Sequence, residues 1–310
     1  MWAYDASPAT TVSTTLTPLL LCCSCGSGLL SIISASLGAK HVYAIEANCH
    51  LAQLARNIIT ANGFHHKITV INKLSTEVEP EELGGQGGAD VMVSEILGTV
   101  MLGESALEYV SDARDRLLKP GAPIIPDSGR QYATLVSSEE IQMITAVKGW
   151  GGIDLSLFNV LQDTTSLVFT KQYGFRFSSI ASTYLTEAVC VADIDFNTAD
   201  PGDLGDTAVF TTQARQGGVG HVVMCHWEVF GDKEKTLRMS TDPAVSNFPR
   251  DMQWGQALQL VEDNTVERDE GTNSVPVPFE VTAGENITME VRFSSDNVVM
   301  QFLLKHSTPP

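Results

Sequence analysis

The chain has 310 residues, enough for one large domain or two ordinary ones, and its 43% hydrophobic content can fill a core, which excludes a disordered protein. Nineteen Lys and Arg stand against 37 Asp and Glu, a formal net charge of −18. That field repels nucleic-acid backbones, arguing against direct nucleic-acid binding, and attracts basic partners such as Arg-rich protein tails; acidity of this size also serves solubility alone.

Residues 1–17 are Thr- and Ser-rich without periodicity and are expected to form a poorly ordered lead. Leu16 to Leu37 is the one candidate membrane or targeting segment, but Gly26, Gly28 and several serines interrupt it and no basic residue precedes it. Cys22, Cys23 and Cys25 crowd together while Cys49, Cys190 and Cys225 stand apart, which makes neither a disulfide framework nor a zinc site. No metal is expected, and a reducing compartment, cytoplasmic or nuclear, is.

Leu19-Leu-Leu-Cys-Cys reads as a buried strand, Ser24-Cys-Gly26-Ser-Gly28 as a tight turn and Leu29 to Leu37 as a helix, the opening of a nucleotide-binding βαβ unit. The next strand, Val42 to Ile45, ends in Glu46, eighteen residues after Gly28. An acid there can accept hydrogen bonds from both ribose hydroxyls of a nucleoside. Ser31 stands where a dinucleotide fingerprint needs its third glycine, which disfavours a nicotinamide cofactor. A helix over Leu51 to Asn62, a strand over Lys67 to Asn72, the phrase Leu74-Ser-Thr-Glu77 and a Gly84 to Gly88 loop follow. Alternating elements of this kind predict a mostly parallel sheet covered by helices.

Asp90-Val-Met-Val reads as the next buried strand, with Ser94-Glu95 at its carboxyl end, where open α/β sheets bind ligands. Glu104 opens a helix whose inner face carries Ala106, Val110, Ala113 and Leu117, and Lys119-Pro120-Gly121 stops it. Glu95 and Glu104 are nine residues apart across Gly98 and Gly103, so the chain can double back and aim both carboxylates into one pocket. Paired carboxylates suit a planar guanidinium, which offers five donors in a fixed fork. The plainer alternative is that Glu95 caps a turn and Glu104 sits favourably at a helix N-terminus. After Asp127 short β-rich runs take over: Gln131 to Val136, Leu185 to Phe196, His221 to Phe230, Glu290 to Phe293 and Val298 to Leu304. They suggest an antiparallel sandwich or barrel.

Ser94-Glu95-Ile-Leu-Gly98, Glu104-Ser105 and Leu118-Lys-Pro-Gly-Ala-Pro-Ile-Ile-Pro126-Asp127 resemble the double-glutamate loop and following strand of the protein arginine methyltransferases. The likeness covers most of the chain after Leu20. It implies an α/β, Rossmann-like S-adenosylmethionine methyltransferase domain over residues 18–127, then an antiparallel β-barrel substrate domain over 128–310 with a helical dimerisation arm at about 141–161. It implies a methyl transfer from S-adenosylmethionine to arginine in Arg-rich protein substrates, by a homodimer. Gly26, Gly28, Glu46, Ser75 and Thr76 would hold the cofactor, and Glu95 and Glu104 would orient and polarise the guanidinium. Cys225-His226-Trp227 resembles the family's Thr-His-Trp loop, which would make His226 catalytic and Trp227 part of the arginine pocket; a His-Trp pair in an apolar run also reads as strand filling.

Departures accompany the match. Cys22 replaces an aspartate, and Ser24 replaces the first glycine of the turn, which it can do only with a negative φ. Residues 1–17 show none of the helices that open family members, so the chain is expected to be truncated or to have lost catalysis, and a silent scaffold that binds Arg-rich proteins or a partner subunit is the alternative. The Asn72 to Val78 phrase and the small Ala106 lean to the monomethylating branch.

Overall fold

The computed structural model describes residues 18–85, 87–161, 173–245, 254–265 and 277–307. The lead expected over 1–17 lies outside them. Two compact units result. The first runs to Val93 and takes in Arg116–Ala122, and the second comprises Ser94–Asp115 and the chain from Pro123 onward. The division therefore differs from a single cut at Asp127, because the double-glutamate loop groups with the antiparallel half.

The first unit alternates β1 (Leu19–Cys23), α1 (Leu29–Ser36), β2 (His41–Ile45), α2 (Cys49–Ala61), β3 (Ile68–Ile71) and β4 (Val91–Ser94). Its sheet runs in the order β3-β2-β1-β4, with β1, β2 and β3 parallel. All five β1 residues are buried, as expected for a strand covered on both faces. Leu20, Val42, Ala44, Ala55 and Ile59 pack into one cluster behind it. Helix α2 starts earlier than Leu51 because Asn48 caps it, its side chain accepting from the N–H groups of His50 at 2.9 Å and Leu51 at 3.1 Å.

The second unit begins with α3 (Ala106–Arg116), β5 (Ile124–Ile125), β6 (Ser128–Ser137), α4 (Glu139–Thr145), β7 (Gly149–Trp150), β8 (Ile153–Asp154), β9 (Tyr173–Phe175), β10 (Thr183–Tyr184) and β11 (Val189–Asp195). It continues with β12 (Thr207–Gln213), β13 (Gly218–Gly220), β14 (Val222–Phe230), β15 (Arg238–Ser240), β16 (Gln256–Leu260), β17 (Phe279–Val281), β18 (Asn286–Phe293) and β19 (Met300–His306). A seven-stranded antiparallel sheet follows the order β10-β6-β14-β16-β9, with β11 on β6 and β15 on β14. A second sheet runs β12-β18-β19. Ala133, Leu135, Val223, Cys225, Met289 and Phe302 share the core between these layers. Residues 141–161 do not form one helix: α4 ends at Thr145, β7 and β8 make a hairpin, and Ser156–Leu161 is a 3-10 turn. Gly149, Gly151 and Gly152 are the reason, the last two at φ 60 and φ 83. No helix among the described residues is long and apolar enough to cross a membrane.

Candidate active site

In the first unit the glycine turn and Glu46 meet. Glu46 is buried, and its two carboxylate oxygens accept from the N–H groups of Gly26 and Asn48, both at 2.9 Å. Two backbone donors leave lone pairs on both oxygens for further hydroxyl donors. A Cβ placed on Gly26 would meet nothing within 4 Å, so the turn is open on that side, whereas one on Gly28 would lie 3.3 Å from Ile59 Cδ1. These residues fit a bound nucleoside: a backbone free to approach closely, and an acid fixed beside it. Ser24 departs from expectation, since its φ is 55. The turn that brings Gly26 under Glu46 demands the left-handed conformation there, and serine adopts it at a cost. Ser75 is buried in a 3-10 turn, its carbonyl accepting from Arg116 Nη2 at 3.1 Å, and Thr76 beside it is exposed. Burial pushes the Cys22 thiol to about 11, so it is neutral and cannot replace an aspartate's charge.

In the second unit the chain from Ser94 doubles back as the glycines allow. Gly98 and Gly103 approach so closely that a Cβ on Gly98 would lie 3.2 Å from Gly103 Cα. Gly103 N–H donates to Val100 O at 2.8 Å, closing the turn. Ser105, at φ 59, separates Glu104 from α3, so Glu104 belongs to the loop and does not open the helix. Glu95 and Glu104 are both exposed. The Glu95 carboxyl is held above the usual range, first because protein displaces water around it and also because Glu104 repels its charge, against a hydrogen bond from Leu97 N–H.

Side chains of the antiparallel sheet hold this loop from beneath. The Trp227 indole N–H donates to Gly98 O at 3.0 Å, the Trp254 indole N–H to Leu97 O at 2.8 Å, and Gln131 Oε1 accepts from Met101 N–H at 2.9 Å. The two indoles meet edge to face with centroids 5.2 Å apart.

Residues 17–125 match the family described as ribosomal protein L11 methyltransferase (PrmA). Over 181 residues the chain is 37% identical to an arginine N(omega)-methyltransferase of Streptomyces achromogenes subsp. streptozoticus, covering 57% of this chain and 48% of that protein. Over 245 residues it is 29% identical to protein arginine N-methyltransferase 1.1 of Arabidopsis thaliana, covering 77% of this chain and 57% of that protein. Over these stretches the chain is similar to protein arginine N-methyltransferases. It spans about half the length of these two arginine methyltransferases. The family fold recurs in a Trypanosoma brucei PRMT1 enzyme-prozyme heterotetrameric complex with AdoHcy, at TM-score 0.69 and 24% identity over 90% of this chain and 79% of that one.

Within this arginine methyltransferase fold, Cys225-His226-Trp227 occupies another place than the resemblance implied. It is no loop but the middle of β14, paired with β6 along its whole length, and all nine residues of the strand are buried. Trp227 is wholly buried, so its indole anchors the loop and lines no open arginine pocket. His226 points to the opposite face of the strand, as successive residues must. There it stacks on Tyr132 with centroids 5.0 Å apart, and its Nε2 lies 3.9 Å from Asp242 Oδ2. Burial holds its ring below the usual range against the pull of Asp242 and Glu228. Trp254 and Gln131 were missed, and no motif in the sequence marks either of them.

Proposed function

We propose that this chain is an S-adenosylmethionine-dependent protein arginine N-methyltransferase acting on Arg-rich proteins. The observation that carries the reading is the Glu95–Glu104 loop, two electrostatically coupled carboxylates on a backbone drawn together at Gly98 and Gly103. A guanidinium stays protonated at neutral pH and delocalises its lone pairs, so it is a poor nucleophile. Glu95 and Glu104 draw its charge to one end of the fork and leave a terminal nitrogen freer to attack, held in line at short range. When bound, S-adenosylmethionine supplies an electrophilic sulfonium methyl. As the N–C bond forms and the S–C bond breaks, a nitrogen proton must leave. The raised affinity of Glu95 for a proton suits that carboxylate to accept it.

Gly26, Gly28 and Glu46 are assigned to the methionine end and the ribose, and Ser75 and Thr76 to the adenine. Monomethylation is the finer reading, supported by the Asn72 to Val78 phrase and by Ala106 two residues after Glu104. A homodimer is supported by the apolar groups exposed over 141–161, with Trp150 at 78%, Leu157 at 69% and Met143 at 64% exposure. Six free cysteines accord with the cytoplasm or nucleus. The test is transfer of a labelled methyl to an Arg-Gly peptide and to its Lys-Gly counterpart. Label on the arginine peptide alone, lost in Glu95→Gln, is expected; label on neither would overturn the reading.

A further inference from the structure

We propose that Gln131 and Trp227 are positioning residues which hold the double-glutamate loop at its working width, a role that rests on the function proposed above. The two side chains are directly opposite in the β6–β14 register and both are completely buried. They grip the loop at two points on either side of its tip, Gly98 O through the indole N–H at 3.0 Å and Met101 N–H through Gln131 Oε1 at 2.9 Å. Each gripping group is itself held. Gln131 Nε2 donates to His226 O at 2.8 Å, and Trp227 N–H donates to Thr241 Oγ1 at 2.8 Å. The amide of Gln131 therefore has one orientation only, oxygen to the loop and nitrogen to the strand.

Filling the core does not account for these residue types. A sheet interior needs volume, which leucine, methionine or phenylalanine supplies with no polar atom to satisfy, and a buried amide is tolerated only where its hydrogen bonds are made. Here both polar ends are spent on the loop and on the strand behind it. Among the described residues the loop's exposed carboxylates have little else to fix them, since the hydrogen bond Glu95 makes there is to Leu97 N–H in its own turn, at 3.3 Å. Their separation is thus inherited from the backbone between Gly98 and Met101, which the buried pair holds.

The experiment compares the full chain with Gln131→Met, which removes the hydrogen bonds at closely similar volume, and Trp227→Phe, which removes the indole N–H and leaves a smaller ring in its place. Turnover on an Arg-Gly peptide is normalised to cofactor sites counted by calorimetry, and amide hydrogen exchange is followed over residues 95–104. Each variant should lose about tenfold in kcat/KM at unchanged cofactor affinity. The double variant should lose less than the product of the two, because both act on one loop. Exchange at Gly98 to Leu102 should quicken in both. Wild-type exchange in the loop, or wild-type turnover per cofactor site, would overturn the proposal. If the wild-type chain methylates no arginine, the functional reading fails instead, and the exchange rates still decide whether the pair holds the loop.

Discussion

Replacing Gly98 by alanine probes how tightly the double-glutamate loop must close. The added Cβ would lie 2.9 Å from Val100 O and 3.2 Å from Gly103 Cα, both backbone atoms that cannot swing away. Ordinary contact begins at 3.4 Å, so the two limbs must part by about 0.2 to 0.5 Å. The φ of Gly98 lies outside the left-handed region, so the cost is one of space alone. A misplacement of 1 Å costs on the order of a hundredfold in rate. Half of that displacement therefore predicts a fall of about tenfold in kcat/KM, or ~1.4 kcal/mol of barrier. The assay is kcat/KM on an Arg-Gly peptide beside a calorimetric titration with S-adenosylmethionine, whose affinity should not change. Wild-type kcat/KM in Gly98→Ala would refute the reasoning, and so would a loss of cofactor binding that accounts for the slower rate.

Glu95→Gln keeps the shape and removes the charge, and should lower kcat by roughly a hundredfold to a thousandfold. Because the folded protein holds the Glu95 carboxyl above its unfolded value, ionising it opposes folding. The variant should therefore melt higher than wild type at neutral pH, and the gain should vanish as pH falls below the ordinary carboxylate range. For the same reason wild-type activity should fall on the acid side at a pH above that range, which a pH–rate profile measures. Ser24→Gly relieves a left-handed serine at φ 55, a strain of about 1–2 kcal/mol. After the larger chain entropy of glycine is set against it, a net gain of roughly 0.5 kcal/mol and a rise of a degree or two in Tm should follow in thermal melts.

The first unit was legible because its signals are local. The run from Leu19 to Cys23 is apolar and bounded by a glycine turn, and Glu46 follows its strand directly, so strand ends and site residues were read together. The turn conformation of Ser24 was not, because φ follows from what Gly26 must reach. In the second unit β12 and β16 went unseen. Thr207–Gln213 alternates between exposed and half-buried residues, with Val209 exposed between the inward Ala208 and Phe210 so that the apolar residues run together, and Gln256–Leu260 buries Gln256 and Gln259, whose polarity hides the strand. Their amides are satisfied by partners distant in sequence: Gln256 Nε2 donates to Thr241 O at 2.6 Å and Gln259 Nε2 to Phe302 O at 2.7 Å. The same blindness left His226 and Trp227 between two readings, a family loop and strand filling, and only the pairing of β14 with β6 decides which face each side chain takes.

The most direct measurement is tandem mass spectrometry of an Arg-Gly peptide after incubation with the full chain and S-adenosylmethionine, locating any added methyl atom by atom. The account predicts a single methyl on a terminal guanidinium nitrogen, absent when Glu46→Ala or Glu95→Gln replaces wild type. A methyl on another atom, or one formed equally well by Glu95→Gln, would contradict it.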